Sequence, residues 1–259
     1  MLKIKDFVAV LEKLAPLSLS QKMIERGAYD NSGIIIRNND SVENVLFSLD
    51  LSKQVVLKAV EFGCDTIVTH HPAIYSPISN LDAFGETADV LFAARSGLNV
   101  ISFHLNLDVA QEGIDFYLAK SLGAENEKII EVIDENIGYG REFFIDRILT
   151  DFVREIKVNL GTDKVIFYGE DNVKSVASFC GAGGGSILEY ARREQSADTI
   201  ISSDLSHHVI KELIEKGKKV IIIPHYVAED FGFNKFYERI KDLASGSIRA
   251  YYFEDKRFK

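Results

Sequence analysis

Lys53-Gln54-Val55-Val56-Leu57-Lys58-Ala59-Val60-Glu61-Phe62-Gly63-Cys64-Asp65-Thr66-Ile67-Val68-Thr69-His70-His71 is the stretch whose reading decides the fold class. Residues 53–62 place apolar side chains at helical spacing, and Gly63 stops them. The apolar run 66–69 is short and reads as a buried strand. It gives out on two histidines, at the kind of strand end where α/β proteins place their chemistry.

The same alternation extends in both directions. The amino terminus, residues 4–14, reads as an amphipathic helix whose acids interrupt any signal-like core. Strands are expected at 33–37, 45–50 and 99–103, with helices at 86–95, stopped by Gly97, and 114–122, stopped by Gly123. Residues 124–150 are polar and give no clear pattern. Beyond them come a helix at 147–160 ended by Gly161, strands at 164–168 and 174–179, and a helix at 187–194. A strand at 198–202, a helix at 207–216, a strand at 219–223, a helix at 233–243 and a strand at 248–253 complete the chain. Alternating elements of this kind predict an α/β fold with mainly parallel or mixed sheets flanked by helices.

Residues 56–71 can be laid on residues 187–204. The Asp65-Thr66-Ile67 core falls on Asp198-Thr199-Ile200, and each half continues through a helix and a glycine to a strand ending in histidine. Those endings are His104, followed by Asp108, and His225, followed by Glu229. Any two α/β units look alike, and the shared His-x-x-x-acid ending is what argues for duplication. The expected units are 1–123 and 124–259, packed against each other, since no linker rich in Pro, Gly or Ser separates them.

The chain has 259 residues, 46% hydrophobic and 27% charged, which suits a globular protein with a real core. A net charge of −9 argues against a nucleic-acid binder, and no run approaches the ~20 apolar residues of a membrane span. The two cysteines, Cys64 and Cys180, fit a reduced cytoplasm and lack the spacing of a cysteine zinc site.

Three strand ends therefore deliver histidine or acid. In extended chain His70 and His71 point to opposite sides, so each is expected to serve a different ion. A lone histidine pair is usually incidental, and His-x-x-x-acid is also an ordinary helical pairing. Convergence of three strand ends is what favours a metal site. If the half-sites face each other, His70, His71, Asp108, His225 and Glu229 form one set suited to zinc, iron, manganese or nickel. Two divalent ions against two carboxylates would favour a bridging hydroxide and an anionic substrate.

These blocks resemble the NIF-three-like family, whose members are often called GTP cyclohydrolase type 2 homologues. The blocks are His70-His71-Pro72, His104-Leu105-Asn106-Leu107-Asp108 and His225-Tyr226 with Glu229. Supporting blocks are Asp30-Asn31-Ser32-Gly33, residues 180–186, and Asp204 with His207-His208, so the resemblance spans nearly the whole chain. It implies two intertwined α/β units, a homohexameric ring and a dinuclear centre. His70, His71, Asp108, His225 and Glu229 would be the metal ligands, Glu229 the bridge, and His104 a partner of the ligands or an extra one. Tyr29 stands where the family usually has tryptophan and Pro224 where it usually has glycine. The large inserted domain of longer members is absent.

The glycine-rich run 180–186 lacks a Walker ending and a dinucleotide spacing. Two readings stay open for it: close helix–strand packing, or a substrate-binding loop using Gly183, Gly184 and Ser186, with His208 lining the pocket. Ser206 is expected to cap the helix begun by His207-His208. Arg141 could reach a substrate phosphate, solvated surface charge being the plainer reading. Together these features point to a cytoplasmic metal-dependent hydrolase of a nucleotide-like or phosphorylated small molecule, with His104 as proton carrier and two divalent ions per chain. A non-catalytic metal-binding scaffold or metal chaperone is the alternative. The resemblance adds purine ring-opening chemistry of the cyclohydrolase type.

Overall fold

The computed structural model describes residues 1–259 apart from Gly184. Its first elements are β1 (Leu2–Lys3), α1 (Ile4–Glu12), α2 (Leu17–Glu25), β2 (Gly33–Ile36), β3 (Ser41–Val42), β4 (Asn44–Ser48) and α3 (Lys53–Glu61). They are followed by β5 (Thr66–Thr69), α4 (Ala88–Arg95), β6 (Asn99–Ser102), α5 (Leu105–Val109), α6 (Ile114–Ser121), β7 (Lys128–Asp134) and β8 (Ile137–Ile148). The chain ends with α7 (Leu149–Leu160), β9 (Ile166–Tyr168), β10 (Asn172–Ser178), α8 (Ser186–Ala191), β11 (Thr199–Ser202), α9 (His207–Glu215), β12 (Lys219–Ile222), α10 (His225–Leu243) and β13 (Arg249–Phe253). Among the described residues no helix is long and apolar enough to cross a membrane.

Helix α3 shows why the glycine stops are legible. Past its last turn, Cys64 N–H donates to Ala59 O at 2.8 Å and Gly63 N–H to Val60 O at 3.1 Å, with Gly63 at φ +63°. This closing motif needs a left-handed residue, which glycine adopts without steric cost. The same pair of bonds recurs after α4 and α6.

The chain divides into two compact units, Met1–Ala110 with Phe233–Asp255, and Gln111–Gly232 with Lys256–Lys259. Helix α10 contributes its first turns to the second and the rest to the first. The first unit holds a sheet of order β13-β4-β5-β6-β2, parallel except for β2. Side chains alternate across it. Leu46, Ile67 and Val100 pack beneath Val55, Val56 and Ala59 of α3 and Ala93 of α4. On the opposite face Phe47 meets Phe233 and Phe236 of α10, and Phe103 stacks on Phe236 with centroids 6.0 Å apart. Burying a phenylalanine contributes ~1.5–3 kcal/mol, so this aromatic layer fixes α10 firmly.

The second unit holds a sheet of order β7-β8-β10-β11-β12-β9. Strands β10, β11 and β12 are parallel, and β9 and β8 flank them antiparallel. The run β10-β11-β12-β9 repeats the order and directions of β4-β5-β6-β2. The shared Asp-Thr pair has one structural job in both. Asp65 accepts from Glu43 N and Asn44 N at 2.8 and 2.9 Å, and Asp198 accepts from Lys174 N and Ser175 N at 3.1 and 3.4 Å. Each carboxylate also takes the hydroxyl of the following threonine, at 2.7 and 2.8 Å. One acid at the head of a central strand thus pins the entry of its neighbour.

Two regions depart from expectation. Residues 124–150 contain the hairpin β7–β8, and β8 runs to Ile148 before α7 begins, where a helix from 147 is expected. Side chains of β7 are half-exposed on both faces, so no clean alternation marks it. Its turn is set by Asn136 at φ 58°. Helix α10 begins at His225, two turns before the expected 233. Gly232 sits inside the helix, where a Cβ would lie 2.7 Å from Ile114 Cα. Its role is close approach.

Candidate metal centre

In the first unit, β5 ends at Thr69 and the chain bends. The amides of His70 and His71 both donate to Leu49 O, at 3.1 and 3.0 Å. The strand alternation expected to part the two side chains has ended by then, and their rings stand 4.9 Å apart. His104 follows β6 as the residue before α5, and a nitrogen from each of His70, His71 and His104 lies within 4.8 Å of the other two. Asp108, one turn into α5, brings Oδ1 to 3.4 Å from His70 Nε2. His70 is fully buried and Asp108 is 6% exposed.

In the second unit, β12 runs through Pro224 into α10. Pro224 O accepts Ala228 N–H at 3.0 Å, so proline suits this helix start, where a missing N–H costs nothing. His225 and Glu229 are one helical turn apart, with Nε2 2.9 Å from Oε2. The ordinary i, i+4 geometry and the candidate site are the same arrangement.

Every one of these imidazoles is anchored through Nδ1. His70 Nδ1 donates to Phe103 O at 2.8 Å, His71 to Asp50 at 2.7 Å, His104 to Asp30 at 2.8 Å and His225 to Asp204 at 2.6 Å. All four partners are acceptors, so Nδ1 carries the proton and a neutral ring keeps its lone pair on Nε2. Burial pushes the Asp30 carboxyl up, but hydrogen bonds from His104, Ser20 and Ser32 outweigh it and hold the pKa below the usual carboxylate value. The sequence reading assigned no role to Asp30, Asp50 or Asp204. Asp30 and Asp204 do lie in the quoted blocks, whereas nothing local marks Asp50.

An Nε2 lone pair facing a carboxylate oxygen is unfavourable unless positive charge lies between them. Two donors bound at ~2.1 Å to one cation stand roughly 3.0–3.4 Å apart, depending on coordination number. The separations in the His225–Glu229 and His70–Asp108 pairs, 2.9 and 3.4 Å, match that spacing. The donor chemistry of imidazole and carboxylate therefore fits a divalent transition metal in both units.

The glycine-rich segment supports the second pair. Gly181, at φ +60°, packs against Glu229, and a Cβ there would stand 2.7 Å from Glu229 Oε1. Its carbonyl accepts Ser203 N–H at 3.0 Å and the Ser202 hydroxyl at 3.1 Å. The preceding Cys180 donates its N–H to Asp115 at 3.1 Å and accepts the Tyr139 hydroxyl at its carbonyl. Gly183 is a packing residue, since a Cβ would meet Ile187 Cδ1 at 2.1 Å. Gly184 lies outside the described residues, and Ser186 begins α8, half-buried. His208 stands exposed on α9, and Ser206, instead of capping that helix with its side chain, places Oγ 3.0 Å from His208 Nδ1.

Arg141 corrects both of its sequence readings. It is 1% exposed and pairs with buried Asp115 at 3.2 Å, so it is neither solvated nor open to a phosphate. Burial pushes the Asp115 pKa up to about 6, with Arg141 and backbone amides opposing the rise.

Comparison with known proteins carries these features to a family. A model of the Duf34/NIF3 (NGG1p interacting factor 3) family matches residues 2–256. A Lactococcus lactis protein called GTP cyclohydrolase 1 type 2 homolog is 31% identical over 237 residues, covering 89% of this chain and 88% of its own. Staphylococcus aureus protein SA1388 superposes with a TM-score of 0.85 at 25% identity, over 98% of this chain and 97% of its own. A Bacillus cereus protein related to NIF3 superposes with a TM-score of 0.86 at 15% identity, over 98% and 97%, and shows the shared fold. Matched along nearly its whole length, the chain belongs to the Duf34/NIF3 family.

Proposed function

We propose that the protein is a dinuclear metal-dependent hydrolase of a nucleotide-like or phosphorylated small molecule, GTP cyclohydrolase type 2-like, working as a homohexameric ring. The observation that carries the reading is four Nδ1-anchored imidazoles, two of which face a carboxylate at ligand spacing. The residues that would hold the ions are His70, His71 and Asp108 in the first unit and His225 and Glu229 in the second. The names of relatives such as the Lactococcus lactis GTP cyclohydrolase 1 type 2 homolog support the choice of substrate class. When bound, divalent ions would lower the pKa of water and polarise the scissile bond.

The chain's own groups do the rest. Asp50, Asp204 and the Phe103 carbonyl fix ring orientation, so that little reorganisation is needed at the moment of reaction. His104 takes up a proton at Nε2 and passes it to the leaving group. The Asp30 carboxylate, bonded to Nδ1, stabilises the imidazolium that forms.

Elemental analysis after loading with zinc, iron, manganese or nickel should give two ions per chain. His70→Ala should lose metal. His104→Ala should keep metal and lose turnover of GTP or a phosphoester panel. Loss of metal from His104→Ala to the same extent as from His70→Ala would make His104 a ligand, and metal without turnover across the panel would favour a scaffold or metal chaperone.

A further inference from the structure

Beside the histidine cluster of the first unit stand two half-exposed tyrosines, Tyr29 and Tyr75, with rings 5.1 Å apart and 64° to one another. Tyr75 also meets the His104 ring edge-on at 6.1 Å. Both tyrosines sit on loops that the structure ties down. Next to Tyr29, Asp30 holds His104 Nδ1, and Asn31 Nδ2 donates to Ile74 O at 2.6 Å. Ser32 Oγ accepts His104 N–H at 3.1 Å and donates to Asp30 at 2.7 Å. The 29–32 loop thus braces both the candidate centre and the backbone carrying Tyr75. Aromatic faces held this way and left half in water form a preorganised stacking surface, because ordering them costs a ligand nothing further.

A cleft of about 510 Å³ opens from Tyr75 along residues 73–90. That size suits a nucleoside-scale group. Its described lining includes Asp82, Glu86, Asn80 and Thr87 and no lysine or arginine. Phosphates are therefore disfavoured inside it, whereas a planar ring bearing N–H donors finds carboxylate and amide acceptors there.

We propose that Tyr29 and Tyr75 form the specificity platform of the candidate centre, stacking the nucleobase of a nucleotide whose phosphates face the metals. This rests on the metal-dependent reading above and assigns the base end of the same ligand.

The test uses the metal-loaded full chain with two probes, GTP and inorganic triphosphate, in calorimetric titrations. The chain has no tryptophan, so quenching of tyrosine emission gives a second readout of stacking. GTP should bind at least tenfold more tightly than triphosphate. Tyr75→Ala should weaken GTP by roughly tenfold, the usual scale of base–aromatic stacking, and leave triphosphate unchanged. Tyr75→Phe should restore GTP binding, and metal per chain should stay constant throughout. Equal affinity for the two probes, or an equal loss of both in Tyr75→Ala, overturns the platform while leaving the metal reading standing. A chain that takes up no metal and binds neither probe overturns both.

Discussion

Replacing Gly181 by alanine tests whether the glycine-rich segment serves the Glu229 pair or only the packing of α8. Two costs can be separated. Alanine at φ +60° pays the left-handed penalty of ~1–2 kcal/mol, and its Cβ would lie 2.7 Å from Glu229 Oε1. Ordinary carbon–oxygen contact is about 0.6 Å longer, so the carboxylate must swing off its rotamer at a further ~0.5–1.5 kcal/mol. Gly217→Ala isolates the first cost, because Gly217 has φ +74° and nothing within 4 Å of its added Cβ. Urea denaturation should therefore show Gly217→Ala destabilised by ~1–2 kcal/mol and Gly181→Ala by about 1 kcal/mol more. Competition titrations with a chromophoric chelator should show a roughly 10–100-fold loss of metal affinity in Gly181→Ala alone, the usual scale for disturbing a ligand's supporting shell. If both variants bind metal like the parent chain, Glu229 does not hold metal next to Gly181, and the reasoning fails.

The duplicated acids should act as strand pins of unequal strength. Asp65→Ala should destabilise the chain by ~1–3 kcal/mol, because it leaves two half-buried amides at the entry of β4 without their acceptor. Asp198→Ala, with bonds of 3.1 and 3.4 Å, should cost less in the same urea series. The buried Asp115 gives a pH signature. Its folded-state pKa of about 6 lies above the ordinary aspartate value of 3.8, so its contribution to stability is present below about pH 4 and is lost as pH rises through 6. The stability difference between Asp115→Asn and the parent chain should therefore move in the variant's favour between pH 4 and 6. A flat or opposite trend in denaturation midpoints would show that Arg141 holds the carboxylate ionised throughout.

Most of the elements and the chemistry-bearing positions are legible along the chain. Helix stops such as Gly63 depend on one residue's allowed backbone angles, and the buried strands before His70 and His225 on a few consecutive apolar residues. The hairpin β7–β8 escaped, because a sheet partly exposed on both faces has no alternating pattern. Only the tertiary structure brought Asp30 to His104 across 74 residues, and Asp50 to His71 and Asp204 to His225 across 21 each. It alone set nitrogens of His70, His71 and His104 within 4.8 Å of one another, buried Arg141 against Asp115, and set Gly181 under Glu229. Periodicity and capping are local properties of the backbone and can be read along the chain. Which acid orients which imidazole depends on where distant segments cross, and no local pattern encodes that.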